Sequence, residues 1–297
     1  MTAESPSLRD SAIPAVIAWV SRKLTAAGIS QARAEAELLV CEATGRSRES
    51  LVVHPEAPLS EQQAARLEEL TARRARREPL AYVLGRAEFW SLRFFTTSAA
   101  IVPRPETEVL AEAAIARARG ASFAVDVGTG CGALAVVLAR ELPGLTVLAV
   151  DTSLDALRLA RRNLQLHGVQ DRVFLAAGDL MAPVAREADL VVANLPYVRT
   201  DEFPSLEPEV RDCEPRATLD GGEDGLALIR RLSVQLSDHL SPHGLAALEV
   251  GAGQAEEVGN LLVAGGLSRV ETIADYAGLD RVVLGRRGAC PPAVRRG

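Results

Sequence analysis

Residues 191–198 read VVANLPYV, an apolar run that stops at Asn194-Leu195-Pro196-Tyr197. Asn followed by Pro can end a strand for turn reasons alone. The same four residues also bring together a polar amide, a rigid ring and an aromatic face, which suit a flat polar group. A planar NH2 attached to a carbonyl or a ring is a poor nucleophile, because its lone pair is delocalised. It needs positioning and an acceptor for each N–H. The Asn194 side-chain oxygen can take one. The backbone carbonyl of Leu195 can take the other, aimed by Pro196, which fixes its own φ and biases the residue before it toward extended backbone. Tyr197 can lie against the flat group. Such a site acts by orientation and preset dipoles and requires no strong base.

A second cluster lies upstream, in Asp126-Val127-Gly128-Thr129-Gly130-Cys131-Gly132-Ala133. Glycines between a strand and a helix let backbone approach a ligand closely, and the helix start offers free N–H groups. Gly128, Gly130 and Ala133 also satisfy a loose dinucleotide fingerprint. Asp126 argues against a pyrophosphate, since its carboxylate suits a cationic ligand. Asp151 closes the run TVLAVD, placed to bind the two hydroxyls of a ribose, or else to cap the next helix. Asp179, in AAGDLM, is placed to accept from an adenine amino group, with Leu180 against the ring; its plain alternative is a loop aspartate. Ribose, adenine and a positive centre together describe S-adenosylmethionine.

These residues are positioned by alternating elements. From residue 122 onward, strand-like runs (FAVDVG, TVLAVD, RVFLAAGD, DLVVAN, GLAALEVG, RVETIAD, RVVLGR) are mostly separated by helical patterns at 133–141, 154–167, 225–240 and 254–264. This predicts an α/β fold with a mostly parallel sheet covered on both faces. Ligands of such sheets bind beyond the carboxyl ends of the strands, where the glycines, Asp151, Asp179 and Asn194 all fall. Only a short link around Tyr276–Leu279 joins the last two strands, so the final strand is expected to run antiparallel to its neighbour. Upstream, residues 11–85 read as helices. Ala34–Ala43 has helical apolar spacing, and Ser60 with Gln63 forms a capping box. The basic run Arg73–Arg77 reads as a solvated helix end, or alternatively as a docking surface for an acidic or ribosome-associated partner. Residues 87–97 fit a short hairpin, and Pro105 with Glu106 and Glu108 marks a helix start.

The chain of 297 residues carries a formal net charge of −6, which disfavours a binder of naked nucleic acid. The first 85 residues balance in charge, so the acidity lies in the rest. Cys41, Cys131, Cys213 and Cys290 are scattered and suggest neither a disulfide framework nor a thiolate zinc site. His239 and His243 are separated by Pro242 and lack a zincin glutamate, so they read as a turn rather than a metal site. The N-terminus lacks a signal-peptide pattern and no apolar run is long enough to span a bilayer. A cytoplasmic location is the default expectation, with no membrane partner.

The chain resembles the PrmC/HemK family of release-factor glutamine N5-methyltransferases from about residue 15 to Arg287. The resemblance rests on REPLAYVLGRAEFWSL (77–92), IVPRPETE (101–108), DVGTGCGALA (126–135), AVD (149–151), NLPY (194–197), EPRATLDGGEDGL (214–226), EVG (249–251) and DRVVLGR (280–286). It implies a helical N-terminal substrate-recognition domain (1–85), a β-hairpin linker (86–104) and a seven-stranded class I, Rossmann-like methyltransferase domain (105–287). Independently of the resemblance, the tail (288–297) is expected to be disordered, as chain termini commonly are. The resemblance further implies that S-adenosyl-L-methionine donates the methyl group and leaves as S-adenosyl-L-homocysteine. The acceptor would be the glutamine amide of the Gly-Gly-Gln motif in class 1 release factors. On this resemblance the cofactor would be bound by the loop from Asp126 and Gly128 through Thr129, Gly130, Cys131 and Gly132, by Asp151, and by Asp179, Leu180 and Asn194. Asn194, Leu195, Pro196 and Tyr197 would hold the glutamine amide.

Two positions depart from the family pattern. The family usually has Pro where Leu195 stands, and Asn-Leu-Pro-Tyr is common in enzymes that dimethylate adenine in ribosomal RNA. Leucine supplies the same backbone carbonyl with less stiffness, so a working site is expected. A larger aromatic in place of Leu180 would cover more of an adenine. Two competing readings are adenine N6 methylation of RNA, which calls for a basic face, and a protein that binds S-adenosylmethionine without turnover.

Overall fold

The computed structural model describes residues 8–288, and the expected tail falls largely outside them. The chain divides into two compact units. The first comprises the residues up to Gly85 together with Glu207–Cys213, and the second comprises Arg86–Leu206 and the chain from Glu214 onward.

The first unit is helical: α1 (Ile13–Ala26), α2 (Ala32–Thr44), α3 (Arg48–Val53), α4 (Glu61–Ala75) and α5 (Leu80–Leu84). Ile13, Val16, Ile17, Val20 and Leu24 form the buried stripe of α1 at the spacing one helix face requires. They pack with Ala36, Leu39 and Val40 of α2 and with Leu67 and Leu70 of α4. The capping box opens α4 as expected: Ser60 Oγ accepts from the Gln63 N–H (3.2 Å) and Gln63 Oε1 accepts from the Ser60 N–H (2.9 Å).

The basic run is mostly paired within its own unit, and of its arginines only Arg76 is exposed. Its acidic partners come from the same unit. The Arg74 side chain is 6% exposed and lies between Glu35 (2.5 Å) and Glu209 (2.9 Å). Arg77 reaches Glu209 (2.6 Å), Glu207 (3.1 Å) and the Gly28 carbonyl (2.7 Å). Arg73 pairs with Glu78. Local sequence could not show this, because Glu209 is 135 residues from Arg74.

The second unit opens with the hairpin β1 (Arg86–Phe89) and β2 (Leu92–Phe95), then α6 (Pro105–Arg117). Next come β3 (Phe123–Val127), α7 (Ala133–Glu141), β4 (Thr146–Asp151), α8 (Leu154–His167), β5 (Val173–Ala177) and β6 (Ala188–Ala193). After α9 (Pro208–Cys213), which belongs to the first unit, follow α10 (Ala227–His239), β7 (Leu240–Glu249), α11 (Ala255–Ala264), β8 (Leu267–Ala274) and β9 (Asp280–Arg287). The expected α7 and α8 boundaries coincide with those observed.

Seven strands form one sheet in the order β5-β4-β3-β6-β7-β9-β8. All pairings are parallel except those of β9, which is antiparallel to both β7 and β8. The short β8–β9 link thus turns the last strand back between its two neighbours. Successive residues of each central strand enter opposite cores. Leu190 and Val192 join one apolar cluster with α6, α7 and α8, while Val191 and Ala193 join the other with α10 and α11. Strands buried on both faces explain the continuous apolar runs in the sequence.

The hairpin is more than a connector. Phe89 and Phe94 are fully buried in the α6–α8 core. Asn163 of α8, itself fully buried, accepts from the Phe95 N–H and donates to the carbonyls of Phe95 and Cys131. One amide therefore ties the hairpin to the glycine loop. No helix of the described residues is long and apolar enough to cross a membrane.

Removing Arg74 from the centre of the first unit's ion network strands Glu35 and leaves Glu209 to Arg77 alone. Arg74→Met is expected to destabilise this unit by about 3 kcal/mol. The check is the midpoint of the first unfolding transition in urea, and an unchanged midpoint would refute the assignment.

Candidate active site

Strand order reverses between β3 and β6, because the chain moves outward through β4 and β5 before returning. This is where open α/β sheets hold ligands. Register fixes what meets there. Val127 pairs with Ala193 and with Val150, so Gly128, Asn194 and Asp151 emerge side by side. Ala193 also pairs with Leu248, which brings Asn194 beside Glu249.

A cavity of about 400 Å3 opens at this edge, a size suited to a small cofactor. Gly128, Gly130, Asp151, Asp179, Leu180, Asn194, Leu195 and Pro196 line it. Among the described residues, Asp126, Thr129, Cys131, Gly132 and Tyr197 do not. Asp126 is 1% exposed, and its Oδ2 accepts from Thr129 Oγ1 at 2.6 Å. Burial, only partly offset by the Thr129 hydrogen bond, pushes its carboxyl up to about 7. Asp126 therefore braces the loop; it does not face the cavity as a counter-charge. The buried Cys131 thiol is pushed up to about 12 by desolvation. Gly132 caps α7 at φ 85°, with Ala160 within 3.2 Å of where a Cβ would stand.

Asp151 is poised for hydroxyl donors. Its Oδ2 accepts from the Gly130 N–H (2.9 Å) and its Oδ1 from the Ser153 N–H (2.8 Å). The capping residue of α8 is Ser153, whose Oγ accepts from the Ala156 N–H. A carboxylate has about four acceptor positions, so lone pairs remain on both oxygens. Asp179 forms an ion pair with Arg231 of α10. Leu180 is buried in the cavity wall with φ at 51°, a conformation non-glycine residues adopt only where surroundings enforce it.

Leu195 has a job beyond its carbonyl. Its side chain is 5% exposed, and a Cβ at Gly128 would sit 3.0 Å from its Cδ2. Burial against the glycine loop restrains this residue. Asn194 Nδ2 donates to Thr107 Oγ1 of α6 at 2.9 Å. The backbone carbonyl of Tyr197 accepts from Gln254 Nε2 (3.0 Å), and its hydroxyl approaches Glu249 Oε1 at 3.5 Å. Beyond the four residues, Val198 pairs with the Leu219–Gly221 backbone, which anchors the segment.

The two specific sequence segments now have roles. In PRPETE, Arg104 pairs with the buried Glu214, Thr107 meets Asn194, and Glu108 accepts from the Trp90 N–H (2.6 Å). In EPRATLDGG, Pro215, Ala217 and Thr218 line the cavity. Sequence reasoning marked these segments but assigned their residues no chemistry. It missed Arg231, which nothing in its helical surroundings distinguishes.

Comparison with known proteins places the chain in a family. Residues 15–85 match the PrmC N-terminal domain, and residues 105–205 match the methyltransferase small domain. A "Release factor glutamine methyltransferase" of Geobacter sulfurreducens is 42% identical over 274 residues, covering 92% of this chain and 96% of that one. One from Moorella thermoacetica is 42% identical over 270 residues, covering 90% and 95%. This chain belongs to the release factor glutamine methyltransferase family. The second unit is correspondingly a methyltransferase fold. A methyltransferase from Pyrococcus furiosus superposes with a TM-score of 0.53 at 20% identity, over 67% of this chain and 91% of that one. The hMettl16 catalytic domain gives 0.54 at 16% identity, over 73% and 81%.

Glu249, 1% exposed, is pushed up to about 7 by burial, with the Thr107 hydrogen bond and the Arg281 charge opposing the shift. A carboxyl raised on folding stabilises fully below its ordinary value of 4.5, and that contribution is lost as pH rises to about 7. Glu249→Gln removes this titration. Its melting temperature relative to the native protein should therefore rise between about pH 5 and pH 7.5. Parallel melting curves across that window would contradict the burial argument.

Proposed function

We propose that this methyltransferase moves a methyl group from S-adenosyl-L-methionine to the side-chain amide nitrogen (N5) of the glutamine in the Gly-Gly-Gln motif of class 1 release factors. The observation that carries the reading is the Asn194 amide at the cavity wall. Its nitrogen is committed to Thr107, which leaves its oxygen to accept an N–H. The relatives' shared name indicates whose N–H that is.

The residues fit the donor. Asp151 would hold the ribose hydroxyls through its remaining lone pairs, and Leu180 would border the adenine. Asp179 would take the adenine amino group while keeping Arg231. Gly128 and Gly130 leave the backbone open for close approach. When bound, S-adenosylmethionine supplies an electrophilic methyl group on a sulfonium centre. Asn194 and the Leu195 carbonyl would hold both amide hydrogens, fixing the nitrogen for an in-line displacement, with one amide proton then lost to solvent. Pro196 and the Gln254-tethered Tyr197 keep that acceptor pair rigid. The catalytic gain is orientation and preset dipoles.

The net charge of −6 and the near-full-length match to glutamine methyltransferases weigh against an RNA substrate. The deciding experiment offers labelled S-adenosylmethionine with a class 1 release factor, its Gln→Ala variant, and unmodified ribosomal RNA. Label is expected on the native release factor alone. Label on RNA alone would overturn the assignment, and cofactor binding without transfer to any of the three would too. Within the same assay the two sites should separate. Asn194→Ala should keep cofactor affinity within a few fold and lose most turnover, whereas Asp151→Ala should weaken the cofactor first.

A further inference from the structure

We propose that Arg231 and Gln235 of α10 are positioning residues for the cofactor, gripping the Asp179–Ala182 turn on either side of Leu180 and holding that leucine in the cavity wall. The inference rests on the adenine-side role given to Asp179 and Leu180 above. It names what keeps that side of the cavity formed.

The turn needs a restraint from outside itself. It is closed by the Ala182 N–H, which donates to the Asp179 carbonyl at 3.1 Å. Its second residue is Leu180, at φ 51°. Left-handed backbone suits glycine, whereas a side chain there crowds its own main chain. Yet Leu180 is buried and lines the cavity, so the strained conformation is the one that shapes the wall.

Two contacts from one helix supply the restraint. Arg231 pairs its guanidinium with the Asp179 carboxylate, at the first residue of the turn. Gln235 Oε1 accepts from the Met181 N–H at 3.2 Å, at the third. The two side chains stand four residues apart on α10, so they share a face. Leu180 lies between the two residues they hold. The polarity of the second contact is settled by the backbone. An N–H can only donate, so Gln235 must present its oxygen.

The two contacts differ in strength. The Arg231 and Asp179 side chains are 52% and 53% exposed, and an ion pair so open to water contributes little. Met181 is fully buried, so its N–H has no water to turn to when Gln235 is lost. Gln235 is therefore the main hold. Arg231 is the lesser one, and fixes where the Asp179 carboxylate stands. A turn freed from α10 relaxes, and a ligand must then restore it at the expense of affinity.

The test is titration calorimetry with S-adenosyl-L-homocysteine and with S-ribosyl-L-homocysteine, the same molecule without its adenine. Gln235→Leu should raise Kd for the first about 10-fold. Arg231→Met should raise it about 3-fold, with Arg231→Lys recovering most of the difference. Each variant should bind the adenine-free molecule within about 2-fold of the native protein, whereas a general loosening of the fold would weaken both ligands. Arg231→Met/Asp179→Ala should bind as Asp179→Ala does, since the guanidinium acts through that carboxylate. The exposed Arg231 variants carry the test if the N–H left bare in Gln235→Leu prevents folding. Native affinity in either Gln235→Leu or Arg231→Met would overturn the inference. So would equal losses for the two ligands, or a double variant weaker than Asp179→Ala by the full Arg231→Met effect. Native affinity in Asp179→Ala would instead remove the adenine-side role on which the inference rests. A native protein that fails to bind S-adenosyl-L-homocysteine would remove the cofactor reading itself.

Discussion

The parallel pairing of β3 with β6 is the constraint on which the rest of the site depends. It places Val127 opposite Ala193, so the chain leaves both strands at one level, with Gly128 beside Asn194. Glycine suits that position, because its φ is 76° and a Cβ would stand 3.0 Å from Leu195 Cδ2. The glycine loop and the Asn194–Tyr197 segment are consequently one packed unit. A slip of one residue between these strands would invert every side chain of β6 between the two cores and carry Asn194 away from the cavity.

Around that pairing, the site is built by supports from distant segments. Thr107 of α6 holds the Asn194 amide, Gln254 holds the Tyr197 carbonyl, and the Leu219–Gly221 backbone holds Val198. Asn163 fastens the glycine loop to the hairpin. Each consists of one to three hydrogen bonds at least partly shielded from water, where an unmade hydrogen bond is costly. The family's specific motifs are thus largely support for residues that face the cavity. Arg104 with Glu214 is the clearest instance, since it joins PRPETE to EPRATLDGG without either residue lining the cavity.

On the proposed acceptor role, Leu195 illustrates how one requirement can be met in two ways. The backbone carbonyl would be the chemical group, and stiffness is what would position it. A ring provides stiffness through covalent geometry. Leucine provides it through burial against Gly128.

Much was legible in the sequence. Apolar runs with glycine and aspartate ends gave the strands, the sheet class and the edge where a ligand binds, because strand burial and turn chemistry are local. The antiparallel last strand followed from a link too short for a crossover. Tertiary structure alone decided which of those residues face the cavity. Asp126 and Thr129 turned out to brace each other behind the wall, and Arg231 entered it from a helix with no local signal. It also decided the fate of Arg73–Arg77, read from sequence as an exposed run. Arg74 is buried by carboxylates 39 and 135 residues away. Sequence periodicity reports which face of an element is apolar. It does not report which distant charge or hydroxyl the folded chain brings against that face, and that pairing fixed the electrostatics of both units.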